Sequence, residues 1–254
     1  MPTIERDGAR IYYEDAGRGP ALLLTHGYGA TLRMWDPQVA ALSDRFRVLR
    51  WDMRGHGESD SPEDPGAYTH AATVGDMAAV LDTAGVERAV VGGLSLGGYM
   101  SLEFHLRHPR RVRALVLCDT GPGYKNDDAR DAWNRYAEGF ARKYEEEGLG
   151  VLGTSAEVRV ARHRSAIGLV HAARGILIQR DARVIESLPQ IRVPTLLVVG
   201  SEDKPFLTGM EYMAAKIPGS GHVVIDGAGH APNLEKPGEF NEVLARFLDG
   251  LPPP

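Results

Sequence analysis

The stretch Gly93-Leu94-Ser95-Leu96-Gly97 holds the residue types and spacing with the most chemistry in them. It is a Gly-x-Ser-x-Gly pentapeptide. The apolar run Ala89-Val90-Val91-Gly92 before it reads as a buried strand, and Gly98 to Leu106 after it has helical spacing. The serine therefore falls on a sharp strand-to-helix turn. Side chains flanking such a turn would collide with the neighbouring strand and helix, which is why glycines stand two residues either side. The turn lifts the Ser95 hydroxyl above the sheet edge and aims backbone N–H groups at whatever the serine attacks.

A serine hydroxyl is a weak nucleophile. It needs a base, and the base needs an orienting acid. The chain has nine histidines, so position must choose among them. In an open parallel sheet, ligands meet the carboxyl ends of the strands. His26 and His230 follow strands directly, and His56 lies in a glycine-rich turn after another. His222 begins a strand, His105 and His108 ride the helix after Ser95, His70 opens a helix, and His163 and His171 lie in the helical middle of the chain. His230 sits in Gly227-Ala228-Gly229-His230-Ala231-Pro232, a flexible loop that can swing an imidazole toward Ser95. The acid should also follow a strand. Asp203 in Gly200-Ser201-Glu202-Asp203 is the first choice, with Glu202 and Asp119 as alternatives. The developing oxyanion needs donors. The backbone N–H of Leu96 is one. The other is the N–H of Tyr28, in the loop His26-Gly27-Tyr28-Gly29-Ala30, where His26 is expected to pack the loop rather than react.

These residues need a frame. Apolar, β-branched segments read as strands at 10–14, 21–25, 47–51, 89–92, 113–117, 193–200 and 223–225. Helical patterns lie between them near 34–42, 70–84, 98–108 and 207–216, and a last helix runs over 237–251. Alternating elements with continuous apolar strands imply an α/β fold, a mostly parallel sheet covered by helices on both faces. The alternation stops between about Thr120 and Ser187, a block too long for one crossover. The chain thus divides into a core domain, 1–119 and 188–254, and a helical cap, 120–187. In the cap, 127–148 carries Trp133, Tyr136, Phe140 and Tyr144 on one stripe, and 166–179 is a second helical pattern. Trp133, Tyr136 and Phe140, with Phe206, are the expected pocket residues.

Composition narrows the classes further. The net charge of −5 and the lack of a basic, aromatic-interleaved patch exclude a nucleic-acid field. No apolar run approaches the ~20 residues of a membrane span. The polar start, Met1 to Asp7, has no apolar core behind it. A cytoplasmic protein is expected. The single Cys118 cannot form an internal disulfide and reads as core packing. No metal-ligand spacing of His or Cys is present, so neither metal nor organic cofactor is expected. The Pro252-Pro253-Pro254 tail is expected to be disordered.

The chain resembles the α/β-hydrolase superfamily over essentially its whole length. The residues that carry the resemblance are His26-Gly27-Tyr28-Gly29, Asp52-x-Arg54-Gly55-His56-Gly57-x-Ser59, Gly93-x-Ser95-x-Gly97, the Gly200–Asp203 loop and Gly229-His230. The order Ser95, Asp203, His230 is that superfamily's nucleophile–acid–base order. Met34 to Gln38 and Phe46 to Ser59 look like the carboxylesterase and oxoadipate enol-lactone hydrolase branch. The resemblance implies a structural role for Arg54–Gly57. It also implies a serine hydrolase acting on a small ester or lactone. C–C bond hydrolases and perhydrolases share the fold, and some members are slow or inactive ligand receptors. Ser95 at the elbow excludes the carboxylate-nucleophile dehalogenases and epoxide hydrolases. Fold alone does not choose a substrate.

Overall fold

The computed structural model describes residues 3–253; Met1 and Pro2, from the polar start, and Pro254, from the tail, lie outside them. The strands are β1 (Thr3–Arg6), β2 (Ala9–Ala16), β3 (Ala21–Thr25), β4 (Arg47–Trp51), β5 (Ala89–Leu94), β6 (Val112–Cys118), β7 (Thr195–Gly200) and β8 (Gly221–Ile225). Among the described residues they form one sheet in the order β1-β2-β4-β3-β5-β6-β7-β8. The pairs β1–β2 and β2–β4 are antiparallel, and the remaining five pairs are parallel. The first strand was not expected. Thr3-Ile4-Glu5-Arg6 has no apolar run, and a tight hairpin makes it pair. Asp7 (φ 50°) and Gly8 (φ 73°) occupy the left-handed region that a two-residue Asp-Gly turn needs.

The helices are α1 (Asp36–Leu42), α2 (His70–Thr83), α3 (Leu96–Arg107), α4 (Asp127–Glu147), α5 (Ala156–Arg159), α6 (Ala166–Ala172), α7 (Arg183–Ser187), α8 (Lys204–Lys216), α9 (Pro232–Glu235) and α10 (Pro237–Asp249). Successive side chains of a strand face opposite ways, and the central strands are buried on both sides. Leu22, Leu24, Val48, Val90, Val116 and Val198 pack with Leu42 of α1 and Phe240 and Leu244 of α10. Their neighbours Leu23, Leu49, Val91, Leu115, Leu117 and Leu197 pack with Met77 of α2, Phe104 of α3 and Met213 of α8 on the opposite face. Each such side chain contributes about 1.5–3 kcal/mol by leaving water. No helix among the described residues is long and apolar enough to cross a membrane.

Between β6 and β7 the chain runs through α4 to α7 with no strand among the described residues. Asn126 caps α4 by accepting the Ala129 N–H at 2.9 Å, and Asp127 and Asp128 favour its positive end. Gly148, at φ 65°, ends it. The buried line of α4 is Ala137, Ala141 and Tyr144, flanked by half-buried Trp133 and Phe140. Tyr136, expected on that line, is 57% exposed. The small alanines let α6 approach, and the stripe centres on them, which rotates Tyr136 outward. The pattern expected as one helix over 166–179 also breaks. It is α6 to Ala172, then a wide turn at Ala173–Leu177. The tail expected to be disordered is tied at Pro252, whose carbonyl accepts from Arg113 Nη2 at 2.7 Å.

Candidate active site

Ser95 lies between the end of β5 and the start of α3 with φ 55° and ψ −118°. A non-glycine residue in that region is strained, and neighbours must hold it there. Its N–H donates to the Cys118 carbonyl at 2.9 Å, and its carbonyl accepts from Thr120 Oγ1 at 2.6 Å. The glycines are needed for closeness. A Cβ on Gly93 would stand 2.6 Å from the Thr25 carbonyl oxygen, and one on Gly97 2.6 Å from that of His26. The Ser95 side chain is half-buried, and its hydroxyl makes no hydrogen bond among the described residues.

The loop after β3 comes to the same place, because β3 and β5 are neighbours with Thr25 opposite Gly93. A Cβ on Gly27 would lie 3.5 Å from Ser95 Cβ. Residues 27–30 form a turn closed by Ala30 N–H to Gly27 carbonyl at 3.2 Å, with Gly29 at φ 72°. Among the described residues, neither the Tyr28 nor the Leu96 N–H is given to a protein acceptor. His26 staples this loop. Its Nδ1–H goes to the Gly27 carbonyl at 2.7 Å, and its Nε2 accepts the Met53 N–H at 3.0 Å. Burial pushes its pKa down to about 3, so it stays neutral.

The strands β6, β7 and β8 supply the other side. Asp203 follows β7 and His230 follows β8. His230 Nδ1 is 2.7 Å from Asp203 Oδ2, and since a carboxylate only accepts, the proton is assigned to Nδ1. Phe206, in the first turn of α8, lies against the imidazole with ring centroids 4.9 Å apart. The His230 loop, expected to be flexible, is pinned. Both Glu235 oxygens reach back to it, accepting the Gly229 N–H at 2.8 Å and the Ala231 N–H at 3.0 Å. Sequence reading missed Glu235. Its signal was an acid at the end of the short turn that follows a Gly-His-x-Pro loop.

The rival acids are placed differently. Glu202 is exposed. Asp119 is fully buried at the end of β6, with φ 41°. It accepts the Gly200 N–H at 3.0 Å and the Cys118 thiol at 3.2 Å, and it does not bond His230. Burial raises its pKa well above the carboxylate range, and a hydrogen bond with Asp203 adds to the shift. Asp119 is thus a neutral acid facing Asp203. Asp119, Asp203 and His230 each bring a ligand atom within 4.8 Å of the others, close enough for a cation. With the Nδ1 proton already shared with Asp203, the three read as a hydrogen-bonded chain.

The Arg54–Gly57 turn is built as structure. Arg54 is buried in an ion pair with Asp76 at 2.7 Å, and Asp52 accepts N–H groups from Leu32 and Glu58. Of the aromatics expected in the pocket, Trp133 spends its indole N–H on the Leu177 carbonyl at 2.8 Å. Phe140 lies 5.6 Å from the Tyr28 ring and 4.9 Å from that of Tyr136.

Comparison with known proteins matches this architecture. Residues 20–187 fit the family described as the alpha/beta hydrolase fold. The chain is 30% identical to the 3-oxoadipate enol-lactonase 1 of Acinetobacter baylyi, over 91% of this chain and 90% of that one. A crystal structure of the enol-lactonase from Burkholderia xenovorans superposes with a TM-score of 0.83 at 29% identity, covering 98% of this chain and 100% of that one. A thermophilic esterase from Thermogutta terrifontis gives 0.84 at 31% identity, over 97% and 96%. A sheet of this order, a serine at its central strand-to-helix turn and these likenesses together mean that the chain belongs to the α/β-hydrolase fold family.

Proposed function

We propose that the protein is a serine hydrolase that cleaves a small carboxylic ester or lactone through an acyl-enzyme. Ser95 Oγ attacks the carbonyl carbon while His230 Nε2 takes its proton. Asp203 holds the Nδ1–H and stabilises the imidazolium that forms. The Tyr28 and Leu96 N–H groups receive the oxyanion, and α3 adds its positive end. His230 returns the proton to the leaving oxygen. Water then repeats the sequence on the acyl-enzyme and frees Ser95. No step calls on a metal or a cofactor.

The observation that carries this reading is the 2.7 Å bond between Asp203 and His230, at the sheet edge where Ser95 is held in a strained turn. The similar proteins, an enol-lactonase and an esterase, support the ester or lactone class. We read residues 120–187 as a cap above that edge, since the segment leaves the sheet at the carboxyl end of β6 and is tied to the loop beside Ser95 by His163 to the Gly29 carbonyl and by Leu169 to the Tyr28 hydroxyl. Tyr28, Phe140 and Phe206 then give the pocket an apolar, aromatic wall, with few polar groups to orient a substrate. That suits a small, partly apolar acyl group.

The test is a panel of p-nitrophenyl esters from acetate to octanoate, with γ- and δ-lactones, run beside labelling by a fluorophosphonate. Turnover of short substrates and a single label on Ser95 are expected. A protein that binds esters without turning them over, or a label elsewhere, overturns the reading.

A further inference from the structure

One cap residue touches the catalytic floor without facing the substrate. His163 lies between α5 and α6 and is half-buried. Its Nε2–H donates to the Gly29 carbonyl at 2.9 Å, and its Nδ1 accepts the Gly57 N–H at 3.1 Å. A neutral imidazole has one donor and one acceptor on opposite sides of the ring, so both are used and the tautomer is fixed. The residue bridges three segments: the cap, the loop after β3 and the turn after β4.

The bond to Gly29 has a particular target. The peptide joining Gly29 to Ala30 is gripped at both ends. Its N–H goes to Gly27 and its carbonyl to His163. That double grip closes the Gly27–Ala30 turn, in which Gly29 stands at φ 72°. The same turn aims the Tyr28 N–H. A second tether runs in the same direction, since the Tyr28 hydroxyl donates to the Leu169 carbonyl of α6 at 2.9 Å. The Tyr28 ring also packs against His56 and Phe140, at 5.7 and 5.6 Å. Burial pushes the His163 pKa below its ordinary value, which preserves the neutral form that both bonds need.

We propose that the cap sets the oxyanion hole, with His163 as the positioning residue that fixes the Gly27–Ala30 turn and the Tyr28 hydroxyl as its second tether. The inference rests on the serine-hydrolase reading. It goes beyond that reading by giving the cap a part in the chemical step as well as in admitting substrate. Oxyanion donors act through placement, and displacements near 1 Å cost about 10²-fold in rate. A His163 staple that served only to hold the cap down would change stability and substrate affinity, and would leave kcat alone.

The experiment measures kcat and KM on p-nitrophenyl acetate, the rate of fluorophosphonate inactivation and Tm for the wild type, His163→Ala, His163→Gln and Tyr28→Phe. His163→Ala should lower kcat by about 10- to 100-fold and slow inactivation in parallel, with KM within about threefold. His163→Gln, whose amide keeps a donor and an acceptor, should recover most of that loss. Tyr28→Phe, which keeps the backbone N–H, should lower kcat by at least about threefold. The proposal is overturned if His163→Ala keeps wild-type kcat, if its loss is confined to KM or Tm, or if the Gln variant recovers nothing. Where His163→Ala does not fold, Tyr28→Phe decides, and an unchanged kcat there overturns the proposal. A wild type that neither turns over ester nor takes the label on Ser95 would instead remove the reading beneath it.

Discussion

The sheet and the helical segment between β6 and β7 differ in how much of their fixing is polar. Every residue of β3, β5 and β7 is buried, and their side chains interdigitate with helices on both faces. The helical segment has a small apolar cluster of its own, Ala141, Tyr144, Leu169, Val170 and Ala173. Ala137, Ala172, Ile176, Leu177, Val184 and Ile185 also join the core on one face of the sheet, and polar ties add to this. Arg174 pairs with Glu138 at 2.8 Å and with Glu145, Asn134 and Gln179 exchange two hydrogen bonds, and Tyr28 and His163 tie it to the loops below. Apolar burial grips from all sides and has no direction. Hydrogen bonds are directional, and each adds only about 0.5–1.5 kcal/mol. The sheet is therefore held almost wholly by apolar burial, and the helical segment by a mixture of burial and directional bonds.

The sharpest break in this comparison removes a reacting atom from the sheet side. Ser95→Ala should lower kcat by about 10⁶-fold with no change in Tm, since triad serine losses in other enzymes are of that size. Kinetics on p-nitrophenyl acetate with thermal melts would check both. More than a few per cent activity in folded variant contradicts the assignment. Next comes the acid. Asp203→Asn should cost about 10⁴-fold by leaving His230 in the wrong tautomer. Asp119→Asn should cost less than about tenfold, because an amide reproduces a neutral carboxyl that both donates and accepts. The reverse pattern would make Asp119 the acid.

Stability separates the two regions more directly. Leu115→Ala, in the sheet, should cost about 2–5 kcal/mol in urea unfolding. Arg174→Gln, in the segment above, should cost about 0.2–1 kcal/mol, and less in high salt. Equal losses would mean that the two regions unfold as one unit held alike. Phe140→Ala should in addition change the ratio of kcat/KM between short and long acyl esters, while Trp133→Ala, whose indole anchors a carbonyl, should act on Tm.

The smallest effect is the shape of stability against pH. Burial keeps His26 and His56 neutral in the folded chain. From about pH 6.5 downward the unfolded chain binds protons that the folded chain refuses, so stability falls. Asp52, raised by burial to about 6, offsets part of this loss. Asp119 acts the other way. Its folded pKa is raised, to about 9, so the stability it contributes is fully present only below the ordinary carboxylate pKa and is lost progressively as pH rises from there to about 9. Urea midpoints from pH 4 to 9 should peak near 6.5, and Asp119→Asn should flatten the alkaline limb. An alkaline limb unchanged in that variant would show that Asp119 is not the buried acid responsible.

The parts legible in the sequence were those with short-range signals. The turn at Ser95 announced itself through glycines whose missing side chains meet β3 and its loop. The parallel strands announced themselves through unbroken apolar runs. The β1 strand did not, because Thr3–Arg6 pairs through the Asp7-Gly8 turn without an apolar pattern. Tyr136 was misplaced because an aromatic outweighs an alanine on inspection, whereas close helix packing chose the alanines. Glu235 and His163 were invisible in their roles. Each acts through hydrogen bonds to backbone groups in other segments, and nothing local marks which N–H or carbonyl a side chain will reach. Asp203 and Asp119 both follow strands and are both buried; what separates them is their partners, His230 for Asp203 and the Gly200 N–H and Cys118 thiol for Asp119, which no local pattern announces.

The order of the strands has a consequence for the chain as it is made. Ser95, the proposed nucleophile, follows β5 in the first half of the polypeptide, while the proposed acid and base, Asp203 and His230, wait for β7 and β8 near the end. Synthesis delivers about 5–20 residues per second, so His230 emerges on the order of ten seconds after Ser95. Until then the serine is an ordinary alcohol without a base. The strained turn at Ser95 also depends on Cys118, the last residue of β6, and on Thr120 just after it. On the proposed triad, a growing chain has no hydrolytic capacity until β7, β8 and the loops after them have been made.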